Sequence, residues 1–113
     1  QSAQARNCTM AFAVVEPTGE LVLFHKMDGT QYGSDLVARE KARTAARFKR
    51  STKAFFDSIA GGRNAVLSLP GVVAIEGGTP IVINGQIVGA IGVSGGTSEQ
   101  DGEVAAAALL GLK

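Results

Sequence analysis

The chain has 113 residues, 45% of them hydrophobic and 19% charged, with a net charge of +1. That length and balance fit one globular domain over 1–113 that buries a single core, and they exclude a disordered chain. The charges are interspersed without a basic face, which argues against a nucleic-acid partner, and no apolar run approaches the ~18 residues of a membrane span.

In chain order, "MAFAVVE" from Met10 to Glu16 is the first strand candidate. "PTGE" supplies a hairpin turn, and "LVLFHKM" from Leu21 to Met27 is its partner. The loop "DGTQYGS" leads into "DLVAREKARTAARF", a helix with Ser34 as its expected N-cap and Asp35 complementing the dipole of the first turn. Val37, Lys41, Thr44 and Ala45 share one face there, with Ala38 and Ala42 beside it. Small residues on such a stripe predict close packing against a sheet. "RSTKAFFDSIAGG" predicts a second, shorter helix, capped by Ser51 or Thr52, burying Phe55 and Ile59 and ended by Gly61-Gly62.

The most β-like part is "VVAIEGGTPIVINGQIVGAIGVSGG". Val72–Glu76 is expected as one strand, Pro80–Ile83 as the next, and Gln86–Ser94 as the return across an Asn84-Gly85 hairpin turn. "TSEQDGEVAAAALLGLK" closes the chain as a helix, with Ser98 and Asp101 at capping-box spacing. Gly102 inside that helix costs about 1 kcal/mol relative to Ala, which packing must outweigh. The predicted order is β-β-α-α-β-β-β-α, an α+β fold with helices on an antiparallel sheet.

Several of these segments resemble one family. "AVVEPTGELVLFHKMDGT", "AREKARTAARF", "GGTPIVINGQIVGAIGVSGGTSEQD" and "VAAAALLGL" are similar to the GlcG/HbpS family, also described as haem-degrading-domain or PduO C-terminal-like proteins. The likeness runs in order from Met10 to Leu112. It implies a profilin-like sandwich around a five-stranded antiparallel sheet. It also implies homo-oligomers, in which dimers assemble into larger rings or octamers, and a haem or other small-molecule ligand. The chain departs from the family pattern at Glu16, where Asp is usual, and at His25-Lys26, where an Arg is common. Members usually begin with a longer helix. Only "QSAQARN" precedes the first strand here, so most of that helix is absent or unseen, and any haem ligand it carries has no counterpart to name.

Few residues are equipped for chemistry. His25 is the only imidazole; it reads as a haem or metal ligand, or as a partly buried or interfacial histidine. With one Cys and one His there is no zinc spacing, and no metal site is expected. Cys8 cannot form an intrachain disulfide and reads as a small buried hydrophobe or a reactive thiol. Lys41 reads as a carboxylate anchor, which the family's "KA.TA" helix favours, or as a lysine whose stem covers the sheet. Glu76 stands before Gly77-Gly78, where a ligand can approach the backbone; it reads as a general base or as a strand-end carboxylate.

The stretch "IGVSGGTSEQD" resembles an anion-binding turn before a helix. Glu99 and Asp101 already bring negative charge to that first turn, and no P-loop Lys-Ser/Thr follows the glycines. The stretch therefore reads as strand, tight turn and capped helix start; in a site role, its carboxylates would face a pocket whose lysine, Lys41, comes from the "KARTA" helix, across a subunit interface or within the chain.

The expected function is an oligomeric binder of haem, another tetrapyrrole or a small ligand. His25, Lys41, Gly77 and Gly78 would line its site, with Met10, Met27, Cys8 and Tyr32 as the other available axial ligands. The alternative is a small enzyme or enzyme accessory acting on a small oxygenated carboxylic acid. Lys41 would then hold the carboxylate, and Glu76 or Glu99 would move a proton. No signal peptide is visible; the cytoplasm is the expected compartment, with a secreted or periplasmic location as the alternative.

Overall fold

The structure, a computed structural model, describes residues 9–110. The expectations about Cys8 and about a shortened first helix fall outside them. Two strands, β1 (Ala11–Val15) and β2 (Leu21–Lys26), form the first hairpin. Its turn is closed by Gly19 N–H donating to the Glu16 carbonyl at 2.8 Å. Helices α1 (Ser34–Phe48) and α2 (Thr52–Ala60) follow, then a 3-10 turn at Asn64–Ser68. The hairpin of β3 (Gly78–Ile83) and β4 (Gln86–Ser94) precedes α3 (Ser98–Leu110). Asn84 and Gly85 have φ of 52° and 77°, the turn whose twist matches the flanking strands.

The strands form one antiparallel sheet in the order β2-β1-β4-β3. Helix α1 covers one face. Ala38, Ala42, Ala45 and Ala46 meet Ala11, Ala13, Val15 and Ala90 there, all buried. The approach is close because the residues are small. A Cβ placed on Gly92 would collide with the carbonyl oxygen of Ala38 and stand 2.6 Å from the Ala42 nitrogen. Helix α3 covers part of the other face, where Val104 and Ala105 pack on Met10, Ile91 and Val93. The period of two along β1 sorts its residues between these layers, odd numbers to α1 and even numbers to α3.

Among the described residues the sheet has four strands, not the expected five. Val72–Glu76 is irregular, although its β-branched composition suits a strand. A helix side chain engages it instead: Val73 N–H donates to Thr44 Oγ1 at 3.0 Å, and that hydroxyl lies 2.8 Å from the Glu40 carbonyl of its own helix and 3.2 Å from the Gly71 carbonyl. A helix side chain therefore holds the segment that a strand would have used. One expected cap is displaced, and the choice between two residues at the other is resolved. Gly33, not Ser34, is the N-cap of α1, and Ser34 is buried inside the first turn. Ser51 caps α2 by accepting from Ala54 N–H at 3.3 Å, while Thr52 is buried and bonds to Gly78.

Candidate functional site

Lys41 is buried at the centre of α1, its side chain 2% exposed. A charge placed there needs partners, because an unpaired buried ammonium is strongly unfavourable. It has two. The Nζ donates to Asp101 Oδ2 at 2.9 Å and to the Val93 carbonyl at 2.9 Å. The other oxygen of Asp101 accepts from Gly96 N–H at 2.9 Å. Burial pushes the Asp101 carboxyl above the usual carboxylate range, against the pull of Lys41 and of the Gly96 and Gly95 N–H groups.

Asp101 therefore does not pair with Ser98 in a capping box. The reciprocal cap belongs to the residues just before each: Thr97 N–H donates to Gln100 Oε1 at 2.9 Å, and Gln100 N–H donates to Thr97 Oγ1 at 3.1 Å. That cap leaves Asp101 free to turn inward. The anion-accepting backbone of the "SGGTSEQD" turn is filled by the chain's own carboxylate. Local spacing pointed to Ser98 and concealed this role. The available signal was Lys41 itself, a charge on an alanine-lined helix face, which requires a carboxylate from another element.

Gly77 and Gly78 bring Glu76 close to this pair. Gly77 has φ +133°, and a Cβ on it would lie 2.8 Å from Lys41 Nζ and 2.6 Å from the Val93 carbonyl oxygen. Here the chain needs glycine both for its backbone angle and for space. The Glu76 side chain lies against α3 at Gly102, where an added Cβ would collide with its carboxylate. The helix glycine thus makes room for the acid, which accounts for its presence despite its propensity cost. A cavity of about 220 Å³ opens beside them, lined by Glu76, Gly77, Gly78 and Gly102 together with Ala105 and Leu109. Lys41 does not line it.

The other candidates stand apart. Glu99 is exposed on the first turn of α3 and does not line the cavity. His25 is exposed on edge strand β2, opposite Phe12 of β1, with the two ring centroids 6.2 Å apart. It shares the α3 side of the sheet with Leu23, which is 60% exposed, and with half-buried Phe12 and Val14. Tyr32 is exposed, Met27 half-buried and Met10 fully buried. So Lys41, Gly77, Gly78 and Glu76 come together with Asp101, while His25 and Glu99 lie elsewhere. No helix among the described residues is long and apolar enough to cross a membrane.

Comparisons with known proteins agree on one family. A family model described as haem degrading protein HbpS-like matches residues 1–110. Protein GlcG of Escherichia coli (strain K12) is 41% identical over 94 residues, which are 83% of this chain and 70% of that protein. A crystal structure of a PduOC:haem complex is similar with a TM-score of 0.85 and 28% identity, over 96% of this chain and 82% of the other. A double mutant of HbpS from Streptomyces reticuli reaches a TM-score of 0.89 at 27% identity, over 99% of this chain and 77% of the other. With a family model matched over residues 1–110 and a relative 41% identical over 83% of its length, the chain belongs to the HbpS-like family.

Proposed function

We propose that the protein is a homo-oligomeric haem- or small-ligand-binding protein, with His25 as the group that engages the haem iron. The observation that carries this reading is the open α3 side of the sheet around β1 and β2. Binding a flat apolar macrocycle calls for an apolar plane and a nearby axial donor. Leu23, Phe12 and Val14 offer the plane, and the exposed His25 imidazole offers the donor. These residues fit the group. When bound, haem supplies a redox-active iron; the protein supplies the nitrogen ligand and an apolar floor that lowers water access. The relative crystallised as a PduOC:haem complex supports the same class of ligand.

Edge strand β2 favours self-association. Leu21, Val22 and Leu23 are all exposed on it, and an uncovered apolar edge is a template for pairing with another chain. A second copy over this face would enclose a ligand held by His25.

The alternative, an enzyme holding a small acid on Lys41, has less support. The Lys41 ammonium is committed to Asp101 and Val93 and lies away from the cavity.

The test is an absorbance titration with hemin. A Soret shift saturating at one haem per site is expected, lost in His25→Ala but kept in Met27→Leu. The absence of any shift at stoichiometric hemin overturns the proposal. Light scattering at micromolar concentration measures the assembly, and a strict monomer with and without hemin removes the oligomer from it.

A further inference from the structure

We propose that the Glu76 cavity and the groove beyond it form a second site, one that takes an amphipathic monocation: an alkylammonium head at Glu76 with its hydrocarbon chain between β3 and α3. It is separate from the haem reading, because His25 lines neither cavity.

The argument starts from charge. Glu76 is half-buried and has no hydrogen bond or ion pair among the described residues. The only other charged group lining the cavity is Lys53, and its Nζ is already paired with Asp57 Oδ2 at 3.1 Å. The cavity thus carries one unmatched negative charge. Its remaining walls are largely apolar, with Ala105, Ala106 and Leu109 along the helix side. A partly desolvated carboxylate on an apolar wall favours a cation that brings its own apolar body.

Shape extends the argument. Ala106 and Leu109 also line a larger groove of about 780 Å³, together with β3 residues Ile81, Val82 and Ile83 and with Leu110. Val82, Ile83 and Leu110 are exposed apolar side chains that no element of the described chain covers. The two spaces meet at Ala106 and Leu109, so a chain anchored at Glu76 runs directly onto this strip. Gly102 keeps the head end open, since any side chain there would displace the Glu76 carboxylate.

The test is calorimetry on the whole chain with n-butyl-, n-hexyl- and n-octylammonium, and with octanoate and 1-octanol as controls. Affinity is expected to rise about fourfold for each added methylene, the ratio that about 0.8 kcal/mol per buried CH₂ gives. Glu76→Gln should weaken octylammonium by about tenfold or more, the worth of one charged hydrogen bond. Since Glu76 has no hydrogen bond or ion pair among the described residues, the variant's circular dichroism should be unchanged. Ala106→Leu, at an exposed helix position, narrows the junction and should weaken octylammonium more than butylammonium. No saturable binding of octylammonium overturns the proposal. So does equal binding to Glu76→Gln, or octanoate or octanol binding as tightly as the amine. A hemin titration that fails while octylammonium binds would leave this site standing, and the reverse result would remove it alone.

Discussion

The two faces of the sheet are built in opposite ways. The α1 face is sealed by alanines and by Gly92, with backbone nearly touching backbone. The α3 face carries larger side chains, Phe12, Val14 and Leu23 among them, yet α3 leaves them partly uncovered. Small residues give one face its rigidity, because nothing there can be enlarged. The larger residues on the other face leave apolar area uncovered by any described element. Close packing and exposed apolar area thus fall on different sides of the sheet.

The sharpest way to break this contrast is Gly92→Val. Its branched side chain would drive into the Ala38 and Ala42 backbone, which has no rotamer with which to yield. We expect a loss of about 4 kcal/mol or more, a large part of the 5–15 kcal/mol of a typical domain; urea denaturation measures it, and a loss under about 1 kcal/mol would refute the close approach. Lys41→Ala comes next. It leaves Asp101 buried without its cation, at a cost of about 3–5 kcal/mol in the same measurement. If the loss resembled that of an exposed lysine, the buried pair would not exist in solution.

Much of this was legible in advance. The hairpins announce themselves, because Asn84-Gly85 must adopt positive φ and β-branched residues flank it. The alanine stripe of α1 announced a tight helix–sheet contact. Two features were not legible, for one reason. Val72–Glu76 has a strand's composition, but Thr44 from a distant helix accepts its Val73 N–H. Asp101 has a cap's spacing, but its partner lies 60 residues away. Local pattern reports local preference, and each of these positions is decided by a contact across the fold. Glu76 was legible as a candidate through its Gly-Gly neighbour, whereas the space made for it by Gly102 depends on how α3 lies.

On the open face, Leu23→Lys should change the stability of the isolated chain by no more than about 0.5 kcal/mol. It should nevertheless weaken hemin binding and self-association. A destabilisation of several kcal/mol would mean that Leu23 is a core residue after all.

The smallest effect is a pH dependence. Burial raises the Asp101 pKa in the folded state, so the folded chain holds that proton more tightly than the unfolded chain. The resulting stability is complete below the ordinary aspartate pKa and is lost as pH rises through the raised folded value. The stability of the wild type relative to Asp101→Asn should therefore fall as pH rises above the ordinary aspartate range. Thermal melts over that rise in pH test the sign, and a difference that grows with pH would reverse it.

The Lys41–Asp101 clasp also orders events in time. Loop closure over 60 residues is slow and entropically costly, so it follows the local hairpins and helices. On the ribosome, a chain that has emerged only as far as β4 holds Lys41 without its counter-ion. The first turn of α3 supplies the carboxylate that lets Lys41 stay buried beneath α1. Folding-rate measurements on Asp101→Asn should show the loss almost wholly in faster unfolding, as expected for a contact made last.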